Sequence, residues 1–143
     1  MLRWGQPVPV PMRLDSLKRC ALSLPQATLV RQWGDNLVGK IAGKIFCIFS
    51  LDGELLERVS FKVSPSEFRR LTDLDGIIPA PYLARASWVS VEDFAALPSA
   101  ELEAAVRTSY ALVVAALPKK TQATLKLPVN AVPSPLKNPG SPR

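Results

Sequence analysis

Histidine is absent from this sequence of 143 residues. That removes the side chain whose unperturbed pKa lies nearest neutrality, the Ser-His and Cys-His nucleophile pairs, and most zinc or haem ligation. Cysteine is scarce as well. Cys20 and Cys47 carry no metal or redox spacing, and both sit among apolar neighbours. They read as buried free thiols in a reducing cytoplasm, with no cation cluster placed to lower either pKa. Long apolar runs are missing too. The longest, Ala111 to Leu117, falls well short of the roughly 18–20 residues a bilayer-spanning helix needs. The first residues, Met1-Leu2-Arg3-Trp4-Gly5-Gln6-Pro7, run into prolines instead of an apolar segment, so no secretory signal and no membrane association are expected.

What is present suits one globular domain. At 48% hydrophobic and 21% charged, a chain of this length hides roughly two-thirds of its unfolded surface and needs no disulfide or metal staple. The formal net charge is +6, which on its face suggests an acidic partner. The distribution qualifies that. Residues 1–117 contain all 12 acidic residues and nearly balance, whereas residues 118–143 contain Lys119, Lys120, Lys126, Lys137 and Arg143 and no acid. This last stretch also holds Pro118, Pro128, Pro133, Pro135, Pro139 and Pro142 and lacks aromatics, so an extended or mobile strap is expected over 119–143. Leu125, Leu127, Val129 and Val132 could let part of it lie along the domain. Pro7, Pro9 and Pro11 favour an extended lead-in over 1–13. The domain proper is then 14–118.

Within the domain, Leu14, Leu17, Ala21 and Leu24 share one helical stripe that Pro25 stops. An all-β stretch follows: Ala27–Trp33, Asn36–Ile41, Lys44–Ser50 and Val59–Val63. The reversals fall at Gly34-Asp35, Ala42-Gly43 and Leu51-Asp52-Gly53-Glu54, residue types that tolerate turn geometry. Ser64 caps a short helix to about Thr72, with Pro65 at its first position and Glu67 closing a capping box. Gly76–Tyr82 reads as a stiff extended loop and Trp88–Val91 as a strand. A final helix runs from about Pro98 to Leu117, with Leu102, Val106, Ser109, Val113 and Leu117 on its core face. The order α-β-β-β-β-α-β-α predicts an α+β fold, a twisted antiparallel sheet with helices packed on one face.

Catalytic chemistry is hard to assemble from this inventory. Asp73-Leu74-Asp75-Gly76 resembles part of a calcium loop but lacks the closing Glu, so a solvated turn is the better reading. Gly39-Lys40-Ile41-Ala42-Gly43-Lys44 has no Ser or Thr after the lysine and leads into a strand, which makes it a hairpin and not a phosphate loop. No Gly-x-Ser-x-Gly elbow occurs. The expectation is a non-enzymatic protein without metal or cofactor. The segment Pro79–Trp88 is more suggestive, because Tyr82, Arg85 and Trp88 sit within seven residues behind two prolines. Rigid aromatics beside a guanidinium are a composition of binding surfaces. For Trp88, closure of the core is favoured over ligand contact.

A set of ordered motifs then adds to this reading. Gln32-Trp33-Gly34-Asp35-Asn36-Leu37-Val38 leads into Ala42-Gly43-Lys44-Ile45-Phe46-Cys47, then Ser60-Phe61-Lys62-Val63-Ser64-Pro65. Ile78-Pro79-Ala80-Pro81-Tyr82-Leu83-Ala84-Arg85 with Trp88-Val89 comes next, followed by Ser109-Tyr110-Ala111-Leu112-Val113 and Leu117-Pro118-Lys119-Lys120. Together they resemble the MmcQ/YjbR family of small bacterial proteins over about residues 14–120. The resemblance implies a compact frataxin-like domain with paired hairpin wings, and a "DNA-binding" label that rests largely on fold likeness. Members of that family often carry Lys or His just before the Trp, where this chain has Ala86-Ser87, leaving Arg85 as the loop's only cation.

Two functional readings result. The first is DNA binding through phosphate contacts from Arg31, Lys40, Lys44, Lys62, Arg85, Lys119 and Lys120, weak and largely independent of sequence. The second is an adaptor for a protein or small ligand, or a homo-oligomer, using Trp33, Tyr82, Arg85, Trp88 and an uncovered sheet face.

Overall fold

Leu14, Leu17, Ala21 and Leu24 are all buried, so the stripe that predicts the first helix is its core face. The computed structural model describes residues 10–81 and 83–125, with side chains from residue 13 onward. Helix α1 spans Val10–Ser23 and starts four residues earlier than Leu14. Residues 10–13 of the expected lead-in are therefore helical. Pro11 fits there because first-turn N–H groups have no intrahelical acceptor to lose.

Strands β1 (Thr28–Gln32), β2 (Asn36–Ile41), β3 (Lys44–Asp52) and β4 (Leu55–Lys62) form the expected antiparallel meander. The turn joining β2 to β3 has φ of 52° at Ala42 and 80° at Gly43. Positive φ at both central residues matches a hairpin's right-handed twist. Helix α2 (Pro65–Thr72) starts as expected, with the Glu67 N–H donating to Ser64 Oγ at 3.2 Å and Pro65 in the first turn. The Glu67 carboxylate does not close the box, because Arg70 holds it.

Three elements were not expected, one of them the 3₁₀ turn Ala84–Ala86. Ile77–Pro79, inside the presumed loop, is a three-residue strand β5 antiparallel to β6 (Trp88–Val91). After α3 (Ser99–Ala115), Lys119–Leu125 forms a helix α4 whose last residue is buried. Residues 119–125 are thus part of the folded body and not of a strap; Pro118 breaks one helix and admits another. Among the described residues the result is an α+β fold, a six-stranded antiparallel open sheet of order β1-β2-β3-β4-β6-β5 with four helices packed against it.

The register explains the core. Cys47, Phe61 and Val89 pair across one row, and Phe49, Val59, Val91 and Ile77 across the next; all are buried against the helices. Between these rows and the β2–β3 turn the register shifts at Gly39, and Phe46 bulges toward the core. A Cβ at Gly39 would lie 2.5 Å from Cys47 Sγ and 3.1 Å from the Phe46 ring, so only glycine fits. Ser109 of α3 answers the bulge. Its hydroxyl donates to the Phe46 carbonyl at 2.6 Å and accepts the Lys62 N–H at 2.9 Å. Beside it the Tyr110 and Phe46 rings pack nearly perpendicular with centroids 5.4 Å apart, and the Tyr110 hydroxyl donates to the Pro25 carbonyl at 2.7 Å. Burial pushes that phenol's pKa up. Among the described residues, no helix is long and apolar enough to cross a membrane.

Candidate nucleic-acid interface

An all-antiparallel sheet has two ends, and the order of strands decides which loops meet at each. At one end lie the Ala42-Gly43 turn, the exit from β4 into α2, and the loop from β5 to β6. The approach to β1 from α1 lies there as well. The hydrogen bonds from Ser109 to Phe46 and from Tyr110 to Pro25 bring the second half of α3 to the same end. Gln26 donates its side-chain amide to the Leu125 carbonyl, so α4 closes there too.

Lys40 and Lys44 flank the β2–β3 turn, Lys62 ends β4, and Arg85 sits in the 3₁₀ turn Ala84–Ala86. Lys119 and Lys120 open α4. Six of the basic residues singled out from sequence are therefore gathered at one end of the sheet. Among the described residues, Glu67 in the first turn of α2 is the one carboxylate on the segments gathered here. That carboxylate is engaged by Arg70 at 2.8–3.2 Å. Lys44, Arg85, Lys119 and Lys120 are exposed and Lys40 half-buried. Lys62 is partly committed, because its Nζ donates to the Ala86 carbonyl at 2.7 Å.

Arg31 does not join them. It lies near the far end of β1, 3.3 Å from Asp35 in the β1–β2 hairpin. That far end is acidic. Asp35, Asp52, Glu54, Glu57, Asp73, Asp75, Glu92, Asp93 and Glu101 fall on its turns, the adjoining strand ends and a helix start. Its cations are bound up locally: Arg58 sits 3.8 Å from Glu92, and the buried Arg13 donates to the Phe94 carbonyl at 3.0 Å. The near-neutral charge of residues 1–117 thus conceals a group of four cations at one end and an excess of acids at the other. Only the register reveals this, since the charges alternate along the chain.

The residues of the adaptor reading are not brought together. Trp33 is 61% exposed but stands at the acidic end, while Trp88 is 6% exposed and belongs to the packed interior beside Lys62. Tyr82 lies outside the described residues. On the sheet face away from the helices, the row Val30, Val38, Ile48, Ser60, Ser90 and Ile78 exposes only Val30 by more than a third. Ser60 and Ser90 hydrogen bond to each other at 2.7 Å in its middle.

A groove of about 560 Å³ lies between α2 and α3, floored by Val63, Leu71, Leu97 and Ala105 and rimmed by Glu67, Arg70 and Glu101. Sequence reasoning did not find it, because its walls come from segments some 35 residues apart. Hydrogen bonds from Arg70 hold the Glu67 carboxyl below its ordinary pKa. Both cysteines are buried, and burial raises both thiols. One expectation needs correcting: Arg107 does approach Cys20, at 3.3 Å, but desolvation outweighs it. Among the described residues no group of His, Cys, Asp or Glu is set to hold a metal ion.

No curated protein matches the sequence. Among solved structures, the chain is similar to the Deinococcus radiodurans protein DR2400, described as carrying the domain DUF419. They are 25% identical with a TM-score of 0.73, over 85% of this chain and 94% of that one. A Pseudomonas syringae protein, structural-genomics target PsR293, shares the fold at 18% identity and a TM-score of 0.55, over 70% of this chain and 97% of that one. The family model YjbR matches residues 22–112. That span runs from the end of α1 into α3 and takes in the whole sheet, with four of the six clustered cations: the chain belongs to the YjbR family.

Proposed function

We propose that this protein binds DNA without catalysing a reaction on it, through the basic end of its sheet. The observation that carries the reading is the separation of charge. Lys40, Lys44, Lys62, Arg85, Lys119 and Lys120 share one end, where Glu67, engaged by Arg70, is the one carboxylate on the described segments, while most acids lie at the other. A polyanion approaching that end meets an attractive field that the near-neutral sum over residues 1–117 conceals. Lysines at a turn and a helix start reach phosphate oxygens and not base edges, so the binding is salt-sensitive and largely indifferent to sequence.

The β2–β3 hairpin and the 80–87 loop carry Lys40, Lys44 and Arg85 between them. The hairpin turn is two residues long, whereas the loop is fixed by backbone hydrogen bonds around the 3₁₀ turn and by Lys62. Titrating isotope-labelled protein with a duplex oligonucleotide and following its amide resonances tests the site. Shifts concentrated at Ala42-Gly43, Val63-Ser64 and Ala84–Ser87 are expected. Shifts concentrated at Trp33–Asp35, or no shifts at low salt, would overturn the proposal.

A second reading, a binding module for a small ligand, draws on the groove between α2 and α3. Its volume is that of ordinary small-molecule sites, and its floor is apolar. Resonance shifts lining that groove on addition of a metabolite mixture would favour it.

A further inference from the structure

The two edges of the sheet are not equivalent. β5 is three residues long, ends in Pro79 and packs under α2, three devices that discourage pairing with another strand. β1, at the other edge, has five residues, no proline, no lysine and no register shift against β2. Among the described residues nothing pairs with its outer side. Three of the exposed large hydrophobic residues belong to this region: Leu22 on the helix that lies against β1, Val30 at 42% and Trp33 at 61% exposure.

We propose that β1 is a self-association edge, on which a second copy of this chain pairs antiparallel about a two-fold axis at Val30. The sequence of the strand suits its own reverse. Val30 is the middle residue of Thr28–Gln32, so the axis sets Val30 against its copy, Thr28 against Gln32, and Leu29 against Arg31. The strand's only charge therefore faces leucine and never its own copy, avoiding a like-charge cross-strand pair. Alternate residues of an edge strand present free N–H and C=O groups, and the antiparallel partner satisfies them reciprocally.

Charge on the larger scale agrees. An antiparallel partner reverses the direction of the sheet, so each copy's basic end lies beside the other's acidic end. A parallel arrangement would put like ends together. Trp33, one residue beyond Gln32, then stands where the partner's Ala27 and Thr28 arrive. The area such an edge covers is small, so the pair is reversible and concentration-dependent. The inference concerns this edge alone and stands apart from the proposal of DNA binding.

The test is sedimentation equilibrium on the full chain, alongside Val30→Lys and Val30→Glu. At 42% exposure, Val30 can take either charge with little effect on the fold, which circular dichroism verifies. Each variant alone sets like charges together at the axis and is expected to raise the dimer dissociation constant about tenfold. An equimolar mixture is expected to regain association, because lysine then faces glutamate. A wild-type chain that stays monomeric throughout the concentration range would overturn the proposal. So would variants that associate like wild type, or a mixture that associates no better than either variant alone.

Discussion

The ammonium of Lys62 donates to the carbonyl of Ala86 at 2.7 Å, tying the end of β4 to the 3₁₀ turn that carries Arg85. One basic residue thereby holds another in place. Lys62→Met keeps the aliphatic stem and removes the charge and the donor. Melting and duplex binding measured together are expected to show both a stability loss of about 1 kcal/mol and weaker binding. Lys44→Met, at an exposed position, is expected to weaken binding and leave the melting temperature unchanged.

Ser109 joins three elements with a single hydroxyl, which makes it more costly to replace than its size suggests. Ser109→Ala leaves the buried Phe46 carbonyl and the Lys62 N–H without this partner. The expected loss is about 1–3 kcal/mol, read from the midpoint of urea unfolding at unchanged slope.

Leu125 decides where the folded body ends. It is 7% exposed, and its carbonyl accepts from Gln26. A chain stopped after Lys120 is expected to lose about 2 kcal/mol from that leucine's burial and to melt lower. A chain stopped after residue 128 is expected to keep the full-length melting temperature. Equal melting of both shortened chains would return residues 119–125 to the status of a dispensable strap.

The Glu67–Arg70 pair gives a pH dependence of known sign. Because Arg70 holds the Glu67 carboxyl below its ordinary value, the pair's stabilisation is complete above about pH 4.3, the unfolded value. It is lost as pH falls through the lower folded value. Both side chains are about half exposed, so the expected effect is only about 0.3–0.5 kcal/mol. Arg70→Met should show that deficit against wild type at pH 7, and the two melting curves should converge in strong acid.

Much of the fold was legible because its signals are local. The α1 stripe, the Ala42-Gly43 and Asp52-Gly53 turns, the Ser64-Pro65 start and the core face of α3 each depend on residues a few positions apart. β5 was missed because three residues ending in proline look like loop until β6 is there to pair with them. α4 was missed because proline density and charge outweighed one buried leucine. The candidate site was legible as a set of residues but not as an arrangement. Lys40, Lys62 and Arg85 are about twenty residues apart in sequence and meet only through the register of β2, β3, β4 and β6. The same register sends Arg31 to the other end and into the hands of Asp35.

The central claim is that the basic end of the sheet is the nucleic-acid interface, and a salt titration of duplex binding tests it most directly. The full chain is compared with a Lys40→Glu, Lys44→Glu, Arg85→Glu variant, and with an Arg31→Glu, Arg58→Glu control at the opposite end. The account predicts affinity that falls steeply with salt for wild type and control alike. It predicts a triple variant that is weaker on every duplex, with a slope shallower by about 0.9 for each phosphate contact removed. A triple variant that binds like wild type, or a control that loses as much, would contradict it.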